Sequence, residues 1–265
     1  MRILVTFAVE AEFAPWRRKH DFSLAQVADL TAYRTNIAGA SIVVLLTGIG
    51  GKHAGSATLG IQMIAADTDQ YFDVCISTGL AGALKPELRA GEIVVASQLR
   101  TGTARADSGK NAISCDQELV SLSRSCGARE VADFYEEDRI LITAAEKEKL
   151  SSLADVVDME SFDVISESIV WGSRGVAVRA ISDTSKSDLP LDLNLAVTKA
   201  GTISLSRLLG QTLRQPARIP RLIRFGRQSR GAAESLAIFL DKFIHEIAVR
   251  GEAFSPRKTE TAQAR

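Results

Sequence analysis

Two apolar runs in this chain end abruptly in carboxylates: Val156-Val157 leads into Asp158-Met159-Glu160-Ser161, and residues 175–182 (GVAVRAIS) lead into Asp183. A third run, residues 2–8, is followed at once by Glu10 and Glu12. Burying a charge costs several kcal/mol unless it is paired or used, so acids at the tips of buried strands point to a site. Two more runs end in small residues: residues 41–46 in Thr47-Gly48-Ile49-Gly50-Gly51-Lys52-His53, and residues 73–78 in Gly79-Leu80-Ala81-Gly82-Ala83-Leu84. A glycine-rich strand-to-helix turn offers backbone N–H groups to an anion. GIGGKH has neither the Walker frame nor a full GxGxxG, and a tight packing turn explains it equally well. Single acids such as Glu10 or Glu160 also have a structural reading, because the helix dipole favours them in a first turn. The set together suits glycosidic cleavage, in which one acid protonates the leaving group, another positions the nucleophile and a third holds sugar hydroxyls. No Ser-His-Asp order and no metal-ligand spacing is present. Of the three histidines only His53, inside a glycine turn, is placed to act.

These tips need a scaffold, and the pattern supplies one. Strands are expected at residues 2–8, 33–37, 41–46, 73–78, 93–96, 139–143, 156–157 and 175–183. Helices are expected after Glu12, with Phe13 and Trp16 at helical spacing, and at residues 52–66, 116–126, 144–153, 161–171 and 193–213. Residues 79–84 read as a turn against which a flat ligand could lie, and residues 101–112 as an exposed polar loop. Strands alternating with helices predict an α/β fold: three layers, α/β/α, with a central mixed, mainly parallel sheet. Ligands of such sheets bind outside the carboxyl ends of the strands, where all five tips lie. Residues 1–250 read as a single catalytic domain that includes a basic helical segment, 193–250, and residues 251–265 as a polar tail.

Composition narrows the class. The chain has 265 residues, is 46% apolar but only 6% aromatic, and balances 32 basic against 32 acidic residues. The core is therefore aliphatic, as in covered parallel sheets, and net charge argues against a nucleic-acid partner. Three cysteines without CxxC spacing point to a reducing compartment, with Cys75 as core. No apolar run approaches the ~20 residues of a membrane span, so a soluble, cytoplasmic protein is expected.

Five motifs in order, AVEAE, TGIGGKHA, STGLAGAL, VDMES and VRAISD, span residues 8–183. They resemble the purine nucleoside phosphorylase and methylthioadenosine/S-adenosylhomocysteine nucleosidase superfamily. The resemblance implies a nucleoside phosphorylase-like fold and cleavage of the N-glycosidic bond of a purine nucleoside, with no cofactor beyond inorganic phosphate as a co-substrate. It implies Asp183 as the acid that protonates the base at N7, Glu160 and Met159 as the ribose clamp, and Glu12 as the group that activates water. It places Thr47, Gly48, Thr78 and Gly79 in the nucleophile pocket and Ala81, Gly82 and Ser182 at the purine. Burial is expected to keep Asp183 protonated. The segment before VDMES is short, with no aromatic until Phe162, and Asp158 stands where a glutamate is more usual. Glu12 argues for hydrolysis; phosphate would call on Arg17, Arg18 or a partner subunit's arginine, and a non-catalytic nucleoside- or lipid-binding protein on the same fold is the remaining alternative. The implied assembly is a homo-oligomer, with a dimer favoured.

The C-terminal part carries its own signal. Residues 193–233 contain eight basic residues and no acid, so the rest of the chain carries the compensating negative charge. Arginines interleave with Leu222, Ile223 and Phe225, and residues 214–230 could rest on an anionic membrane surface, a solvated or oligomer-facing helix being the plainer reading. Leu236, Phe239, Leu240, Phe243 and Ile247 form a helical core stripe. This segment, the short VDMES loop and SDTSKSDLPLDLN resemble the hopanoid-associated phosphorylase branch. That resemblance implies phosphorolysis of a lipid-linked adenine nucleoside such as adenosylhopane and a peripheral position at the inner membrane surface.

Overall fold

A computed structural model describes residues 1–102, 111–214 and 216–254. The expected loop at 101–112 lies mostly outside the described residues, as does the tail beyond Phe254. The sheet is built from β1 (Arg2–Phe7), β2 (Ser23–Val27), β3 (Leu30–Ile37), β4 (Ala40–Leu46), β5 (Val74–Ala83), β6 (Ile93–Thr101), β7 (Ala112–Ser114), β8 (Arg129–Glu136), β9 (Val156–Asp158) and β10 (Arg174–Asp183). The helices are α1 (Glu10–Arg17), α2 (Gly51–Asp67), α3 (Gln117–Cys126), α4 (Ala144–Leu150), α5 (Ser161–Val170), α6 (Leu205–Arg214) and α7 (Ile219–Val249).

The strand order is β10-β6-β8-β9-β5-β1-β4-β3-β2, with β5 also pairing β10. The central strands β1, β4, β5 and β10 run parallel, β1 lying between β4 and β5, and β2 and β3 add an antiparallel meander at one edge. The central strands are continuous apolar runs because both faces are covered; all ten residues of β10 are buried. Helices α1 and α3 each pack on α7, while α2 packs on α5. This is the mixed α/β architecture expected. The helical stripe is in place, with Leu236, Leu240, Phe243 and Ile247 fully covered.

Several local expectations are corrected. Residues 79–84 are not a turn: β5 continues to Ala83, pairing β10 as far as Gly82 opposite Asp183 and then β9 antiparallel. This closes β5, β10, β6, β8 and β9 into a ring and carries Ala81 and Gly82 along the strand to Asp183. Residues 139–143 are not a strand. The N–H groups of Ile142 and Thr143 go to Glu146 Oε2, and that of Ile140 to Asn194 Oδ1, so no ladder forms. The strand lies earlier, in β8, whose charged alternation hid it; only Val131 and Phe134 are buried there. β2 was likewise unmarked, being largely exposed. The expected helix at 193–213 shrinks to α6, preceded by a short 3-10 turn (Leu193–Leu195) and a Val197–Ile203 bridge. Pro220 falls in the first turn of α7, where a residue needs no N–H.

Candidate active site

The carboxyl ends of β1, β5, β9 and β10 converge on a cavity of about 510 Å³, a volume typical of a small-molecule site. Glu12, Ala81, Gly82, Met159, Glu160, Ser182 and Asp183 all line it. Thr47, Gly48, Thr78 and Gly79, expected at the nucleophile pocket, are not among its lining residues. Glu10, the other acid of the first tip, turns outward and pairs with Arg17 at 2.8 Å. His53 is exposed at the start of α2 and is not part of the lining.

Glu12 is seated by β5. Its Oε1 accepts the Leu80 N–H at 3.1 Å, and a Cβ on Gly79 would lie 2.8 Å from its Oε2, so only glycine leaves room. Gly79 also has φ +145°, a conformation that side chains disfavour. Burial pushes the Glu12 carboxyl up, tempered by the Leu80 N–H and the charge of Arg179. Around Gly79 three buried polar atoms have no partner within the protein: Glu12 Oε2, Thr78 Oγ1 and Arg179 Nε. Thr78 is the chain neighbour of Gly79, and Arg179 is its register partner on β10.

Glu160 follows β9 and caps the turn before α2, accepting the Gly50 N–H at 3.0 Å. Burial, reinforced by the nearby charge of Asp158, pushes its carboxyl up to about 8. The N–H groups of Thr47 and Gly48 are spent on Phe7 and Ala8 carbonyls, and that of Ile49 on Gly201. The glycine turn therefore offers its donors to the chain and to Glu160. Behind it, Glu136 and Asp163 approach the Gly51 Cα so closely that a Cβ there would lie 2.6 Å from each carboxylate. Burial and the neighbouring Asp163 push Glu136 well above the usual carboxylate range.

Sequence reasoning missed two cations. Arg179, in the middle of buried β10, forms a salt bridge to Asp158 at 2.8 Å and donates to Ser77 Oγ at 3.1 Å. A lone charge within VAVRAIS was the signal for it. Lys147 of α4 donates to Asp183 Oδ2, while the Ser182 hydroxyl contacts Asp183 Oδ1 at 2.6 Å. Asp183 is thus paired to a buried ammonium rather than isolated in an apolar pocket. No signal in AAEKEKL sets Lys147 apart. The rest of the wall is apolar, with Ile140, Leu141, Leu189, Leu193, Ile203 and Phe225 from segments on both sides of Asp183.

Carboxylates set around a nucleoside-sized cavity, one aligned with unpaired polar groups and one holding a cation, define a site for breaking a bond to a sugar. The chain belongs to the phosphorylase superfamily, whose family model matches residues 2–214, and it is an enzyme of N-glycosyl bond cleavage. It is 27% identical over 200 residues to the 5′-methylthioadenosine/S-adenosylhomocysteine nucleosidase of Chromohalobacter salexigens, covering 68% of this chain and 82% of that one. The corresponding nucleosidase of Shewanella halifaxensis is 25% identical over 237 residues, covering 76% and 94%. Among solved structures, a mutant of the Helicobacter pylori nucleosidase with 5′-methylthioadenosine in its active site superposes with a TM-score of 0.70 at 19% identity, covering 92% of this chain and 98% of that one. Helicobacter pylori futalosine hydrolase gives 0.70 at 18%, covering 93% and 98%.

Proposed function

We propose that this protein hydrolyses the N-glycosidic bond of an adenine nucleoside that carries a large apolar 5′ group. The observation that carries the choice of water is a pair of unpartnered buried atoms flanking Gly79: Glu12 Oε2, against its Cα, and Nε of Arg179, its register partner. Water can donate to the first and accept from the second. Phosphate beside Gly79 would meet the Glu12 carboxylate next to an Arg179 already paired to Asp158, and Arg17 is engaged by Glu10. In this reading Glu12 takes a proton from the attacking water, and Glu160 holds the ribose hydroxyls with Met159 packed on the sugar. Positive charge building on the ribose is stabilised by these carboxylates. Asp183, steadied by Ser182, delivers a proton to the departing purine, which lies along Ala81 and Gly82. Residues 1–250 act as one catalytic unit.

The apolar wall supports a 5′ group larger and greasier than a hydroxyl, in line with the lipid-linked substrate that the hopanoid resemblance implies. Helix α6 adds to this: Leu205, Leu209 and Leu213 are 73%, 62% and 81% exposed on one face, four residues apart. Arg207, Arg218, Arg221, Arg224 and Arg227 are exposed alongside. Such a surface suits the interface of an anionic bilayer, and Ile203 and Phe225 of the same segment line the cavity. No helix among the described residues is long and apolar enough to cross a membrane. The outward Leu59 and Met63 of α2 suit a homodimer contact.

The test is release of free adenine from adenine nucleosides with short and long apolar 5′ groups, with and without phosphate. Phosphate-independent release yielding the free sugar is expected, faster with the longer apolar group. Release only with phosphate, yielding a sugar 1-phosphate, establishes phosphorolysis instead. No release from any nucleoside overturns adenine as the base. Sedimentation with anionic vesicles, lost on replacing the three α6 leucines by serine, tests the surface.

A further inference from the structure

Lys147 is the one buried lysine among the described residues, 1% exposed, while its neighbours Glu148 and Lys149 are exposed. Local chemistry holds it there. A capping box between Thr143 and Glu146 starts α4. The Ala144 N–H is taken by Asp188 Oδ1 at 2.8 Å, and the Leu189 N–H by the Ile142 carbonyl at 2.8 Å, so the loop after Asp183 folds back on the first turn of α4. Each N–H of the ammonium then has an acceptor: Asp183 Oδ2, the Thr184 carbonyl at 3.0 Å and the Ser187 carbonyl at 2.9 Å. Both residues line the cavity.

A purine leaves slowly unless protonated, and a carboxylate clamped by an ammonium has no proton of its own to give. Lys147 has one, aimed at Asp183. We infer that Lys147 positions Asp183 and stores the proton that Asp183 delivers to the leaving base. As the C1′–N9 bond breaks, its electron pair passes to the purine. Lys147 Nζ gives a proton to Asp183, and Asp183 passes it to N7. The water oxygen bonds to C1′ and yields a proton to Glu12. Lys147, now neutral, keeps its two N–H groups for the Thr184 and Ser187 carbonyls, and the Asp183 carboxylate keeps the Ser182 hydroxyl. The protein gains a proton at Glu12 and loses one at Lys147, and both reset through solvent on product release. The inference rests on the reading of Asp183 as the acid.

The experiment compares leaving groups. Lys147→Met and Lys147→Gln are assayed on an adenine nucleoside and on a para-nitrophenyl riboside with the same 5′ group, whose phenolate departs without protonation. General acid catalysis contributes about 10²–10⁴-fold. Adenine release is expected to fall at least about 100-fold in kcat with little change in KM, and nitrophenolate release by less than about fivefold. The nitrophenyl activity also reports that the site is folded. Equal loss on both substrates, or retained adenine release, overturns the inference. Asp183→Asn is run in parallel. If it shows the split and the Lys147 variants do not, the inference about Lys147 alone fails; if Asp183→Asn shows no split, the assignment of Asp183 fails.

Discussion

Glu160→Gln separates the electrostatic cost of this buried carboxyl from its proposed use on the ribose. Burial and the charge of Asp158 push this carboxyl up to about 8, against 4.5 for a free glutamate. The folded value lies above the unfolded one, so between these limits the folded protein keeps a proton that the unfolded chain has released. Stability therefore falls as pH rises through that window and levels off above it. The full shift amounts to about 1 kcal/mol at about pH 5 and about 3 kcal/mol at about pH 7. Glu160 faces the cavity and is partly hydrated, which reduces the usable part to about half. Glutamine has the same shape, does not ionise, and keeps a carbonyl oxygen for the Gly50 N–H. Urea denaturation at the two pH values is the assay. The variant is expected to be more stable than the parent by about 1–2 kcal/mol near pH 7 and by a few tenths near pH 5, while losing nucleoside cleavage. A gap that does not change with pH, or a variant less stable near pH 7, refutes the reasoning.

Gly79→Ala would place a methyl 2.8 Å from Glu12 Oε2 at a strained φ. Displacement of the carboxylate is expected to lower kcat at least about tenfold, read by adenine release at unchanged fold. Asp158→Asn leaves the Arg179 charge buried without its partner and is expected to cost about 3–5 kcal/mol, read from the urea midpoint. The apolar pair Asp158→Leu with Arg179→Met is expected to recover most of it. The raised Glu12 carboxyl places the acid limb of kcat/KM above the ordinary carboxylate range, and Glu12→Gln removes activity.

The carboxyl-end strand tips were legible because each is a continuous apolar run stopped by an acid or a glycine, and such runs report burial on both faces. That sufficed for Glu12, Glu160 and Asp183 at one mouth and for the α7 stripe, whose spacing is a property of the helix itself. What the chain alone did not disclose are pairings between distant segments. Asp158 with Arg179, Asp183 with Lys147, and Trp16 with Asp241 at 2.7 Å join residues whose neighbours in sequence carry no sign of each other. The misplaced strand at 139–143 has the same origin: RILIT is apolar enough to pair, but Asn194 and Glu146 take its N–H groups first. Local pattern determines which faces are apolar; tertiary structure decides which charges and donors meet. Here that second decision turned Asp183 from an isolated acid into one half of an ion pair.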